Sequence, residues 1–266
     1  MNSPISVVGK LNRKAVVMIK SGNYDGAVVA LCRAMDLIQS PSSEGDNYRS
    51  PWQRTPLVSS AAREREERAS TTNSRMEIDE DAENDEEICL LRPIPIGSPS
   101  NHCFSGIAEE NLFEFYSSML ILQQGNCVDT EHVITLYNSA VASHHEAFRH
   151  QGQTRRHLLH RALGLYNAAQ AVLYESWSEI ADDDILLLLS LALSNNVGHV
   201  HYWLLNFKDC RNSLEALQHF IGSLPVDYGE DDEESSPGSL SRKDYEFFTK
   251  TTVIFEGASF LSAPSA

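Results

Sequence analysis

At 266 residues the chain can hold one or two domains with a substantial core. Its formal charge of -16 is concentrated: residues 77–87 carry eight acids without a base and residues 227–234 carry six more, and removing those fourteen leaves 23 acids against 21 bases. The remainder is almost neutral with no broad basic stripe, which argues against nucleic acid or an anionic membrane as partner. No apolar run approaches the roughly 18 residues of a spanning helix. The longest, at 185–193, reads as a buried core helix.

In chain order, Leu11, Ala15, Met18 and Ile19 recur at helical spacing, Gly22 and Asn23 interrupt them, and Ala27, Leu31, Ala34, Leu37 and Ile38 resume the pattern. This predicts a helical hairpin over 8–39, stopped by Ser40 and Pro41. Residues 40–87 are rich in Ser, Pro, Glu and Arg. Such a segment has too little apolar area to offset its conformational entropy, so a disordered acidic linker is expected. ICLLRPIPI at 88–96 is apolar, but Pro93 and Pro95 lack a backbone donor, which confines it to an edge strand or an extended strap. NLFEFYSSMLILQ at 111–123 is its partner strand or a short helix, so 88–128 is read as a strap or small hairpin-like pair.

A helical core is predicted over 129–224. Its first helix, 132–150, starts at an Asp129/Thr130 cap, and Gly152 punctuates it. Further helices follow at 155–177, 185–205 and 207–221, the third capped by Asp182 to Asp184 and the turn before the fourth marked by Asn206. An acidic loop at 225–241, expected to be disordered, precedes a capping helix at 242–257.

Twelve residues separate Ala15 from Ala27 and twelve separate Gly198 from Cys210, with an aromatic, Tyr24 or Phe207, three places before the second small residue. That spacing places small residues where antiparallel helices touch. With Gly22, Leu31 and Ala34 in the first hairpin, Asn196, Val197 and Leu214 in the last, and Asn138, Ala140, Ala162, Tyr166 and Ala169 between, the chain resembles the tetratricopeptide repeat in degenerate form. The middle hairpin departs from it, since Ala140 and Ala162 lie twenty-two apart. The resemblance implies an all-α superhelix of hairpins, interrupted by the linker, with 8–39 docked on the main domain because a lone hairpin cannot bury its apolar face. It also implies a partner-binding groove on the first helix of each repeat. The candidates there are Asn12, Val16 and Ile19, then Tyr137, Val141 and His144, then Asn195, His199 and Tyr202. The alternative is that these side chains pack between neighbouring helices. The Lys, Asn and Arg set that captures carboxylates in chaperone-binding members is missing.

Five cysteines without a Cys-x-x-Cys pair point to a reducing compartment, cytoplasm or nucleus, although the acid-free, lysine-bearing stretch before Asp25 faintly resembles an organelle transit peptide. His144, His145, His150, His157 and His160 raise a metal hypothesis, but no His-Glu-x-x-His, phosphate loop, dinucleotide fingerprint or nucleophile elbow accompanies them. No catalytic residue, metal or cofactor is assigned. Ser50, Thr55, Ser98 and Ser236 precede prolines, and Ser74 precedes Glu77 by three, as phosphoacceptors would. The reading is a non-catalytic adaptor or scaffold that binds a protein of unknown identity, with an enzyme or metal-dependent protein using the histidine-rich middle as the alternative.

Overall fold

The structure, a computed structural model, describes residues 4–39, 90–94, 113–123, 128–175, 183–224 and 240–257. The expected disordered segments, the proline-directed sites, Ser74 and three of the five cysteines lie outside these residues. Among the described residues the fold is mostly helical, with α1 (Pro4–Lys20), α2 (Tyr24–Gln39), α3 (Val128–Arg149), α4 (Gly152–Glu175), α5 (Asp183–Trp203), α6 (Phe207–Gly222) and α7 (Arg242–Gly257). Two short strands, β1 (Leu90–Ile94) and β2 (Met119–Gln123), form an antiparallel pair.

Each helix packs on its neighbours in chain order. α1 with α2, α3 with α4 and α5 with α6 make three hairpins; α2 and α1 also lie on α3, α4 lies on α5, and α7 lies on α6 and α5. The first hairpin turns at Gly22, whose φ of +77° suits a residue without Cβ. Asn23 then opens α2, its Oδ1 accepting the Gly26 N–H at 3.0 Å. α7 opens on a similar cap, where Ser241 Oγ accepts the Asp244 N–H and donates to the Asp244 carboxylate.

Ala15, Ala27, Ala140, Ala162 and Ala169 are fully buried among the helices, and Leu31, Tyr137 and Tyr166 fill the core beside them. Gly198 meets α6 at Leu214 and Ser213: a Cβ there would lie 3.3 Å from Leu214 Cδ2 and 3.4 Å from Ser213 Cβ. Cys210 is buried one turn before Leu214. Leu37 departs from the periodicity by facing solvent.

α3 and α5 are buried almost all round, and α3 does this while rich in polar residues. Three hydroxyls bond back one turn, Thr135 to the Glu131 carbonyl, Ser139 to Thr135 and Ser143 to Ser139, at 2.7–3.0 Å, so none is left unsatisfied. β1 behaves as an edge. Pro93 stands opposite Leu120, whose main-chain N–H and C=O both turn away to Asn138, so the missing proline donor breaks no ladder bond. Of the stretch 111–123, whose described part is 113–123, only Met119–Gln123 is strand; residues 113–118 carry no regular structure.

Candidate functional site

Residues 113–121 form a strap laid across α3 and α5, and its side chains are taken up on both faces. Phe115, Tyr116, Met119 and Leu120 are all buried. Burying four such side chains contributes roughly 6–12 kcal/mol of transfer free energy before ordering costs are counted.

Two asparagines read the strap's main chain. Asn138 of α3 accepts the Leu120 N–H at 2.9 Å and donates to the Leu120 carbonyl at 2.8 Å. Asn196 of α5 does the same for Tyr116, at 2.7 and 2.9 Å. The clamped residues lie four apart, and these amides satisfy main-chain groups that no strand takes up. Tyr137 donates its hydroxyl to the Ser118 carbonyl at 3.0 Å, Asn195 donates to the Glu114 carbonyl at 3.2 Å, and Tyr116 donates to Asp244 of α7 at 2.7 Å. Burial holds the hydroxyls of Tyr116, Tyr137 and Tyr166 well above the usual phenol range, so all three stay neutral donors.

Phe115 enters a pocket of imidazoles. Its ring stacks on His144 with centroids 4.2 Å apart, meets His145 edge-on at 4.9 Å and tilts on His199 at 5.5 Å, with Phe148 behind at 5.8 Å. A hydrogen-bonded chain links this pocket to the strap. Trp203 Nε1 donates to His199 Nε2 at 3.2 Å; the indole can only donate, so the neutral His199 carries its proton on Nδ1 and gives it to His144 Nε2 at 3.1 Å. His144 then protonates on Nδ1, facing the Tyr166 hydroxyl at 3.2 Å, and Asn196 donates to that same hydroxyl at 3.2 Å. Both nitrogens of His145 are buried without a hydrogen-bond partner among the described residues. Burial, with His199 and His145 nearby, holds His144 well below the usual imidazole range. Burial lowers His145 to about 4, and it lowers His199 to about 3 against the opposing pull of the Phe113 main chain.

The groove candidates other than Tyr202 are therefore enclosed, as in the alternative in which these side chains pack between neighbouring helices. Asn12 is buried between α1 and α3, donating to Thr135 Oγ1 at 2.8 Å; Val16, Ile19 and Val141 are core. Tyr137, His144, Asn195 and His199 are buried beneath the strap. Tyr202 alone is half-exposed, edge-on to Phe113 and Phe207. A side chain with its surface already occupied cannot greet an added partner. Of the packing positions, Tyr24 is half-buried, stacked on His145 with Arg149 over its ring at 5.0 Å, and Phe207 is partly buried against the core.

The histidine-rich middle is dispersed. His157 and His160 are exposed on α4 and His150 bonds Glu146 at 2.9 Å, while His144 and His145 face inward. Among the described residues no group of three or more His, Cys, Asp or Glu is placed to hold a metal ion, and no helix is long and apolar enough to cross a membrane. The buried Cys210 thiol is pushed up to about 12, which removes its nucleophilic form.

Asn138 and Asn196 as main-chain clamps were not singled out by sequence reasoning. The available signal was an amide inside an apolar helix, as in LALSNNVGHV, where a buried Asn demands partners that its own helix cannot supply. Compared with family models, curated proteins and solved structures, the chain matches none.

Proposed function

We propose that this protein is a non-catalytic interaction module, an adaptor or scaffold, whose α3 and α5 surface grips an extended protein segment by its main chain. The observation that carries this reading is the pair of bidentate asparagine contacts, Asn138 on Leu120 and Asn196 on Tyr116. Contacts to N–H and C=O groups accept any side chain at the clamped residue, and the flanking pockets then select aromatic and aliphatic groups. Residues 113–121 hold the groove in cis, and a partner segment of similar character competes with them. The repeat-like architecture is part of the same proposal. It is supported by the packing of successive helices in chain order and by the small buried residues at the hairpin contacts.

The test uses a fluorescent peptide of the sequence of residues 113–123 and the full chain. The peptide is expected to bind saturably, more tightly to Phe115→Ala, whose own strap is weakened, and not to the Asn138→Ala/Asn196→Ala double variant. Absence of saturable binding to the wild type and to Phe115→Ala alike sinks the reading and leaves the strap as ordinary core.

A further inference from the structure

We infer that acid releases the 113–121 strap from its groove, with His144, His145 and His199 as the sensors. This rests on the reading of α3 and α5 as a groove filled in cis, but it is measured on the chain alone. Three imidazoles from two helices converge on one strap side chain, Phe115, at centroid distances of 4.2, 4.9 and 5.5 Å. A proton on any of them places a charge against an aromatic ring in a site closed to water.

Among the described groups around the pocket, the Phe113 main chain favours such a charge on His199, and burial outweighs it. The nitrogens of His144 and His199 are taken by Tyr166, by each other and by Trp203, and those of His145 have no hydrogen-bond partner among the described residues. From α2, Tyr24 faces His145; from α3, Arg149 and Glu146 act on Tyr24 in opposite directions, and Glu146 also holds His150. From α4, Arg155 lies over Phe148 and Trp203 at 5.8 and 5.6 Å, adding positive charge at the rim. On the strap Glu114 points to solvent, and Asp244 of α7 is engaged with the Tyr116 hydroxyl. His201 of α5, half-buried, is lowered by its own burial and bonds toward Asn206.

Departure of the strap hydrates all three rings at once. The hairpin contacts of α3 with α4 and of α5 with α6 are built on Leu158, Leu159, Ala162, Leu214 and Leu217, with His144 meeting α4 at Tyr166, and their aliphatic part remains. Each imidazole kept neutral in the docked state and free to protonate in the released one multiplies the release equilibrium by about tenfold per pH unit below about 6.5. Three together set a ceiling of about a thousandfold per unit.

Amide exchange on the full chain between pH 7.5 and 5, expressed as protection corrected for intrinsic rate, reads this out. The Tyr116 and Leu120 amides are expected to lose protection with a slope approaching three protons, while the α4 amides change less than about tenfold. His145→Leu should lower the slope by one proton, and Phe115→Leu should move the release to higher pH without altering the slope. Strap protection that persists to pH 5, strap and α4 amides failing together at every pH, or an unchanged slope in His145→Leu overturns the inference. Acid release without peptide binding in trans would retain this mechanism and remove the proposed function.

Discussion

Leu205 is the residue most at odds with its local structure. It has a φ of 63° and is 71% exposed, at the turn between α5 and α6. The main-chain pattern there, Asn206 N–H to the His201 carbonyl at 2.9 Å and Leu205 N–H to Tyr202 at 3.1 Å, repeats that of Asn23 to Met18 and Gly22 to Ile19 after α1. Both are helix ends closed through a left-handed residue, and glycine occupies that place only in the first. Left-handed backbone costs a branched residue about 1–2 kcal/mol, and glycine gives back part of that through unfolded-chain entropy. Leu205→Gly should therefore stabilise the protein by about 0.5–1 kcal/mol in urea unfolding. A loss of stability instead would mean the exposed side chain has packing that offsets its strain. The turn itself was legible from Asn206, but its position one residue earlier was not, because leucine carries no turn signal.

At the scale of elements, the strap decides how the buried polar residues are satisfied. Asn196 serves four groups, the Tyr116 N–H and C=O, the Tyr166 hydroxyl and the Asn195 side-chain amide, and Asn138 serves two. Removing either leaves buried main-chain groups unpaired, at about 1–3 kcal/mol each. Asn196→Ala should cost about 2–4 kcal/mol, and Asn138→Ala somewhat less, with the midpoint of chemical denaturation as readout. Equal stability of Asn196→Ala and wild type would show that the clamp is dispensable. The helices were legible to within a few residues because a 3.6-residue period survives in one dimension, and Pro93 correctly marked an edge strand. The strap was not. Phe115 and Tyr116 are buried on opposite sides, one against α3 and α5 and the other against Phe247 and Phe248 of α7, so no apolar-polar alternation records the extended conformation.

Across the whole molecule, two kinds of buried titrating group set opposite limits on pH. The three imidazoles of the pocket are held below their unfolded value near 6.5, so their contribution is complete above that pH and declines as pH falls toward their folded values. With each imidazole contributing about 1.4 kcal/mol per pH unit, acid destabilisation approaches about 4 kcal/mol per unit. Glu131, buried where α3 meets α1, is raised by burial to about 7, against the lowering effect of Arg13. Its contribution is complete below its unfolded value near 4.5 and is lost as pH rises through 7. Between about pH 4.5 and 6.5 the two oppose each other, three imidazoles gaining as pH rises against one carboxyl losing, so stability should climb to near pH 7 and then level off. Glu131→Gln should steepen that climb and raise the plateau, as followed by thermal unfolding across pH. A variant with the same pH profile as wild type would place the titration elsewhere.

The linear order of residues was enough to determine seven helical stretches among the described residues and the small residues at hairpin contacts, because each is a local or periodic property. What it could not specify was which surface those helices would leave open. The strap lies 80 residues from Asn196 in sequence and 128 from Asp244, and only three-dimensional packing brings these groups together. That packing buried Tyr137, His144, Asn195 and His199 beneath the strap and gave the histidines a shared aromatic neighbour. Burial is a property of the assembled fold, so the chemistry of these residues was decided there.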